Sequence, residues 1–371
     1  MFLGYRLLSS NVLGIVIACP VVGAGLLLFQ ADMMNAGMAV LLPGLLMLVG
    51  ALFHLYRVWR FHRCYPAPGK YADVNGFRAH YLVEGDRASR PTVVWIPGSH
   101  DPGIEMLDLH NALSGWNRSF IFDRFGSGWS DTGSGPRSLS NEAAELSAIL
   151  EQAGETAPVI LAGHSLGGML ATSFARMYPE KVAGLLLLDA GTADNFAYVS
   201  GLRGPGNIPG DSLWLSVMAA FGLLWMRLPA KDPGKYDRSE LGQMRLGLMA
   251  QPKSHTGWVY ALNAIFDDPL GLVREAGSLG NVPLYALVPD GQGMSDRHRL
   301  KQALPDFSDL QIANLAALQE QRGEVNAALS TQGRIKVGPP GTTHDLHREE
   351  PGFILDELRH LLEQVTGETD G

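Results

Sequence analysis

The sequence predicts an α/β fold, a mostly parallel sheet covered by helices on both faces, preceded by a two-helix membrane hairpin. Three observations carry this reading. Two stretches of 25 and 24 residues near the amino terminus contain no Asp, Glu, Lys or Arg. Beyond them, short continuous apolar runs alternate with helix-spaced segments, the pattern of strands buried on both faces. One such run ends in a Gly-x-Ser-x-Gly pentad that opens a helix.

Composition narrows the function classes. The chain has 371 residues, which suggests two to three structural units. It carries 29 Lys and Arg against 37 Asp and Glu, a net charge of −8, which argues against a general nucleic-acid binder. With 18% charged and 46% hydrophobic residues the chain is not globally disordered. Cys19 and Cys64 are too few for a disulfide scaffold or a Cys-rich zinc site.

The first unit is residues 1–65. It has a net charge of +3, so the remainder carries −11. Its charge-free stretches run from Arg6 to Asp32 and from Asp32 to Arg57. About 20 apolar residues cross a bilayer core, so spans are expected at about 9–30 and 36–57. A secretory signal fits poorly, because its apolar region is shorter and the second span has no place in it. Pro20 and Pro43 are expected to kink the helices. Arg57, Arg60 and Arg63 follow the second span, and Arg6 precedes the first. The positive-inside rule then puts both ends, and the following domain, in the cytoplasm. Tyr56 and Trp59 stand where an interfacial aromatic belt would be.

The second unit, 66–371, starts at the break Pro66-Ala67-Pro68-Gly69. Tyr71–Val74 and Arg78–Glu84 read as a hairpin around Asn75-Gly76. Thr92–Ile96 and Ser119–Asp123 read as strands, stopped by Pro97-Gly98 and by Phe125-Gly126-Ser127-Gly128. Asn141–Ala153 has helical spacing, with Ala144, Leu146, Ile149 and Leu150 toward the core. Val159–Ala162 is a strand and Leu166–Tyr178 a helix. Gly184–Leu188, Val282–Val288 and Arg334–Val337 complete the strands. Pro351–Gln364 is an amphipathic tail helix. Residues 190–280 break the rhythm and read as a mostly helical cap. Within them Leu213–Leu228 reads as one packed cap helix, too short for a third span.

The chemistry centres on Gly163-His164-Ser165-Leu166-Gly167. Strand, pentad and helix form the context of a nucleophile elbow, in which small neighbours let a strained turn lift the serine hydroxyl. A serine needs a base. His344 follows the last strand and a Gly-Pro-rich loop, the right place in the chain order serine, acid, histidine. His164 lies in the elbow itself and is no base candidate. For the acid, Asp189, which ends the strand after the nucleophile, is preferred; Asp290, which ends the next, is the alternative, and Asp296 is a remote third. An oxyanion hole needs two backbone N–H groups; Leu166 and Ser99 are the expected donors. No carboxylate or Cys cluster supports a metal at His344 and His347.

The segments PGKYADVNGFRAHYLVEG, VVWIPGS, FDRFGSGWSD, LAGHSLGGMLA, YPEKVAGLLLLDAG and GTTHDLHREEP, in this order, resemble the α/β-hydrolase superfamily over residues 66–371. The resemblance implies an eight-stranded sheet, a cap after the sixth strand, Ser165 as nucleophile and His344 as base. Asp123, Gly126 and Gly128 are then structural. Two features depart from the family pattern. The Gly-x-x-Asp motif after the seventh strand is absent, as Gly291 is followed by Gln292, Gly293 and Met294. The oxyanion loop reads Pro97-Gly98 in place of His-Gly. Some lipase-like members carry the acid after strand six, in a stretch that Asp189-Ala190 resembles. The expected function is a membrane-anchored, cofactor-free serine hydrolase of esterase or lipase type, acting on apolar acyl esters. An acyltransferase with the same triad and a non-catalytic ligand-binding scaffold are the alternatives.

Overall fold

In the computed structural model the charge-free stretches form two long helices. The structure describes residues 2–87, 90–99, 101–135, 137–203, 210–265, 268, 271–290, 297, 300–301 and 304–367. A short helix α1 (Phe2–Leu8) precedes α2 (Leu13–Gln30) and α3 (Met34–Cys64). Both α2 and α3 are long and apolar enough to cross a membrane. They pack backbone to backbone through glycines. A Cβ on Gly25 would stand 2.8 Å from the Leu41 backbone, and one on Gly44 3.0 Å from the Val22 nitrogen.

The helix ends differ from the sequence expectation. The chain turns between Ser9 and Val12, so α2 starts at Leu13 rather than near residue 9. At the other end α3 continues past Arg57 to Cys64, because Val58 and Phe61 bury themselves against the following domain. Tyr56 and Trp59 are 52% and 56% exposed, on the outer surface of α3.

Eight strands form one sheet in the order β1-β2-β4-β3-β5-β6-β7-β8. The strands are β1 (Lys70–Val74), β2 (Phe77–Glu84), β3 (Val93–Ile96), β4 (Ser119–Phe122), β5 (Val159–His164), β6 (Val182–Leu188), β7 (Leu284–Val288) and β8 (Gly333–Val337). β1 and β2 form the expected hairpin, with Asn75 and Gly76 both at positive φ. β2 also runs antiparallel to β4, and all other pairs are parallel. The central strands β3, β4 and β5 are buried at every residue, which is why they read as unbroken apolar runs.

Helices cover both faces. On one face, α5 (Leu139–Ala153) and α6 (Leu166–Met177) bury Leu146, Leu150, Leu170 and Phe174. Helix α5 starts on a Ser138 side-chain cap and ends on Gly154 at φ 78°. It turns Ala143, rather than the expected Ala144, toward the core. The other face is covered by α4 (Leu107–Ser114) and the tail helix Pro351–Thr366, through Leu109, Leu358 and Leu361.

The cap follows β6 as helices α7 (Ala193–Arg203), α8 (Gly210–Ala220), α9 (Leu224–Lys231), α10 (Glu240–Met249) and α11 (Pro252–Ile265). The single helix expected over Leu213–Leu228 is two helices, bent by 120°. The break falls where the chain passes close to α3. Gly222 takes φ 75°, and a Cβ there would stand 2.7 Å from the Phe53 ring of α3. The hairpin and the cap thus share a core containing Val58, Phe61, Ala219, Leu224 and Trp225. A polar chain crosses this contact. Trp225 Nε1, a donor only, lies 3.4 Å from His54 Nδ1, which leaves the proton on Nε2 to bond Asn11 Oδ1 at 3.0 Å.

Asp123, directly after β4, knots the loops above the sheet. Its carboxylate accepts from Gly103 N at 2.6 Å, Trp129 N at 2.8 Å and His80 Nδ1 at 2.7 Å. Burial would raise its pKa, but the His80 contact and the backbone bonds outweigh that and hold it below the ordinary value. A Cβ on Gly128 would overlap this carboxylate, at about 2 Å. Asp123→Ala leaves these donors unsatisfied. It is expected to cost about 3–5 kcal/mol, read from the shift of a urea unfolding curve.

Candidate active site

The site forms where β5 turns into α6. Ser165 takes φ 53° and ψ −119°, a strained conformation for a residue with a side chain. Three glycines make the turn possible. A Cβ on Gly163 would stand 2.5 Å from Gly167 O, one on Gly167 2.3 Å from Ile96 O, and one on Gly168 2.3 Å from the Ala190 side chain. Strand, helix, the loop after β3 and the end of β6 therefore meet in van der Waals contact. Ser165 N donates to Leu188 O at 3.0 Å, and Ser165 O accepts from Gly168 N and Gly191 N, both at 3.0 Å. Its side chain stays half-exposed, while Leu166 opens α6 and is buried.

The loop after β3 lies against this turn. A Cβ on Gly98 would approach Ser165 Cβ to 3.1 Å and His164 Nδ1 to 2.7 Å. Ser99 follows at φ 42°. A buried residue that the sequence reading passed over, Arg124, shapes this loop. Its guanidinium donates to Gly98 O at 3.2 Å and to Ser99 O, and Glu142 balances its charge at 3.6 Å. In a trans peptide the N–H points opposite to the C=O. With Gly98 C=O turned to Arg124, Ser99 N–H points away from it. The available signal was a basic residue directly after β4, at the start of the glycine-rich turn Phe125–Gly128.

Of the acid candidates, Asp189 meets His344. Asp189 leaves the end of β6 at φ 40°, and His344 Nδ1 lies 2.5 Å from Asp189 Oδ2. The same oxygen accepts from Arg322 Nη2 at 3.0 Å. Burial would raise the Asp189 pKa, but the His344 bond and the Arg322 charge outweigh it and keep the carboxyl ionised. With Nδ1 donating to the carboxylate, the other ring nitrogen of His344 is left to act as an acceptor. The imidazole is 46% exposed over a fully buried carboxylate. Asp290 has a different place. Its carboxylate accepts from Gly341 N at 2.6 Å and its own N–H donates to Thr342 Oγ1 at 3.0 Å, so it fastens the loop that carries His344. Asp296 and the Gly291–Met294 stretch lie outside the described residues.

Behind this pair, His164 and His347 are packed ring to ring, their centroids 4.2 Å apart. His164 Nε2 bonds His344 O at 2.8 Å. Burial pulls the His164 pKa down to about 4 and lowers that of His347 further, so both rings are neutral props. Among the described residues no group of three or more His, Cys, Asp or Glu is placed to hold a metal ion.

A second cluster of charges, centred on the buried Glu105, was not legible beforehand. Glu105 takes ion pairs from Arg348 at 3.0 Å, Lys235 at 3.2 Å and Arg245 at 3.3 Å. These residues come from the segment after the Ser99 loop, the His344 segment and the cap. They tie together three separate parts of the chain.

Residues 96–234 match the family described as alpha/beta hydrolase fold. A Bacillus subtilis protein, the uncharacterized YbdG, is 26% identical over 162 residues, 42% of this chain and 49% of its own length. The mouse (lyso)-N-acylphosphatidylethanolamine lipase is 35% identical over 111 residues, 29% of this chain and 32% of that enzyme. The chain thus spans half or less of these curated relatives. Among solved structures, a probable hydrolytic enzyme from Pseudomonas aeruginosa superposes with a TM-score of 0.58 at 22% identity, covering 80% of this chain and 95% of that one.

The buried histidines set an acid limit on the fold. His110, His164 and His255 are held near 4 by burial, against an ordinary 6.5. Below pH 6.5 the unfolded chain binds protons that the folded chain refuses, so stability falls as pH drops from about 6.5 to 4. Urea midpoints measured at pH 7, 5.5 and 4.5 are expected to decrease in that order. An unchanged midpoint would contradict the assigned burial.

Proposed function

Because the chain belongs to the α/β-hydrolase fold family, we propose that it is a serine hydrolase cleaving a carboxylic ester, held at a membrane by α2 and α3. The observation that carries this reading is the meeting of four strand ends. A strained, half-exposed Ser165 follows β5, the Asp189–His344 pair follows β6 and β8, and the Gly98–Ser99 backbone lies against the serine after β3. A fold alone would not support a mechanism; these contacts do.

Ser165 Oγ attacks the ester carbonyl and passes its proton to the free nitrogen of His344. Asp189 holds the ring in the required tautomer and stabilises the imidazolium. The N–H groups of Ser99 and Leu166 hold the oxyanion. Collapse of the tetrahedral intermediate breaks the ester C–O bond, and His344 returns the proton to the departing alcohol. Water, deprotonated by His344, then attacks the acyl-enzyme and releases the carboxylic acid and free Ser165. The chemistry requires no cofactor.

The apolar hairpin beside the cap favours a substrate with an apolar acyl chain. The lipase named above is one relative in keeping with that class. Arg57, Arg60 and Arg63 at one end of α3, against Asp32 at the other, favour a cytoplasmic hydrolase domain.

The test is labelling of the full-length protein in its membrane with a fluorophosphonate. Wild type is expected to label and Ser165→Ala to stay dark. Asp189→Asn is expected to lower kcat on a short-chain ester by about 10⁴-fold, because the wrong tautomer then faces the serine. Labelling that survives Ser165→Ala would exclude the mechanism. A dark wild type would favour the scaffold reading, and acyl transfer to an added alcohol in preference to water would favour the acyltransferase.

A further inference from the structure

A cavity of about 280 Å³ lies where the end of α3 meets the cap, lined by Arg57, Arg60, Tyr65, Trp225 and Gln243 among others. None of these side chains takes part in the chemistry above. Arg57 and Arg60 are three residues apart, neighbours on one helix face. Among the described residues neither forms an ion pair with a carboxylate. Arg57 is instead held by aromatic rings, its guanidinium 4.3 Å from Trp225 and 5.8 Å from Phe53. The fork is therefore oriented, and its N–H groups remain available to an anion.

Depth and surroundings say which anion. Arg57 is the first charged residue after the 24-residue run that follows Asp32. In a spanning helix this is the level where hydrocarbon gives way to headgroups. On the hydrocarbon side, apolar side chains stand exposed on α3 and at the α8–α9 bend. Val49, Leu52 and Phe53 on α3 are 63%, 53% and 39% exposed. Leu223 and Met226 at the α8–α9 bend are 43% and 64% exposed. A two-cation cavity opening onto an apolar track fits a ligand with an anionic head and long apolar tails. We propose that this cavity binds one anionic glycerophospholipid. Its phosphate sits between Arg57 and Arg60, the polar ends of Tyr65 and Gln243 face the headgroup, and its chains lie along α3 and the bend. The bound lipid bridges the hairpin and the cap. The inference rests on the reading that α2 and α3 cross a bilayer.

The experiment uses the full chain purified in dodecylmaltoside and titrated with phosphatidylglycerol, phosphatidylcholine or inorganic phosphate. Bound lipid is counted by native mass spectrometry and thermal unfolding is followed in parallel. Wild type is expected to retain one phosphatidylglycerol and to melt at a higher temperature with it than with phosphatidylcholine. Each arginine near a lipid surface contributes about 1 kcal/mol, which is about fivefold. Arg60→Gln should weaken binding about fivefold, and Arg57→Gln with Arg60→Gln about 25-fold. Arg63→Gln, a turn further and outside the cavity lining, should bind as wild type. Fluorophosphonate labelling of each variant reports that its fold is intact, and Arg60→Gln, whose side chain is exposed, serves if the double variant does not fold. Equal binding by the double variant would overturn the proposal. So would an equal loss in Arg63→Gln, or an equal effect of inorganic phosphate. Carbonate extraction separates the two readings. Release of wild type from membranes would sink the spanning helices, whereas retention without saturable lipid binding would sink the headgroup site alone.

Discussion

The close approach of backbones at the turn after β5 is the constraint on which the rest of the site depends. Ser165 keeps its positive φ because nothing larger than hydrogen is present at 163, 167 and 168. The absence of those side chains brings the Ile96–Gly98 loop and the end of β6 into contact with the serine. Backbone bonds from Ser165 to Leu188, Gly168 and Gly191 then fix the turn on several sides. Strain of this kind persists only where the surroundings over-determine it. A methyl group at Gly168 would push Ala190 away, and with it Asp189, the partner of His344.

Charge performs the same task at longer range. Arg124, Arg322 and Glu105 are all buried, and each joins a loop at the sheet's upper edge to a different element. Arg124 grips the loop carbonyls, Arg322 fixes the Asp189 carboxylate, and Glu105 gathers Lys235, Arg245 and Arg348. Buried ion pairs add little net stability, but losing one partner is costly. Such contacts define geometry more than they strengthen it. The three buried groups therefore hold loops, which have little apolar surface of their own, in one arrangement.

What was legible in the sequence follows from this division. The strands of the sheet are short apolar runs, and the structure starts and stops them within a residue or two of the sequence reading. The strand–pentad–helix context marked Ser165 because the steric demand is local. Asp189 was preferred over Asp290 only through the likeness of Asp189-Ala190 to a family stretch, since both end adjacent parallel strands. Their roles differ through partners far away in the chain, Arg322 and His344 for one, Gly341 and Thr342 for the other. The bend at Gly222 was hidden because its close neighbour, the Phe53 ring, belongs to another helix. Ala143 replaced Ala144 because the orientation of α5 is set by its packing on the sheet, and two adjacent alanines leave the periodicity ambiguous.

The buried chain Asn11–His54–Trp225 has an implication for how this protein is made. The cap residues Ala219, Leu224 and Trp225 share a core with Val58 and Phe61 of α3, and the polar groups in that contact match in one register. A ribosome delivers those helices first, so they are in place when the cap emerges. A cap produced without them would expose Ala219, Leu224 and Trp225 to water. Folding of the cap is then a templated step, with α2 and α3 as the surface it packs on.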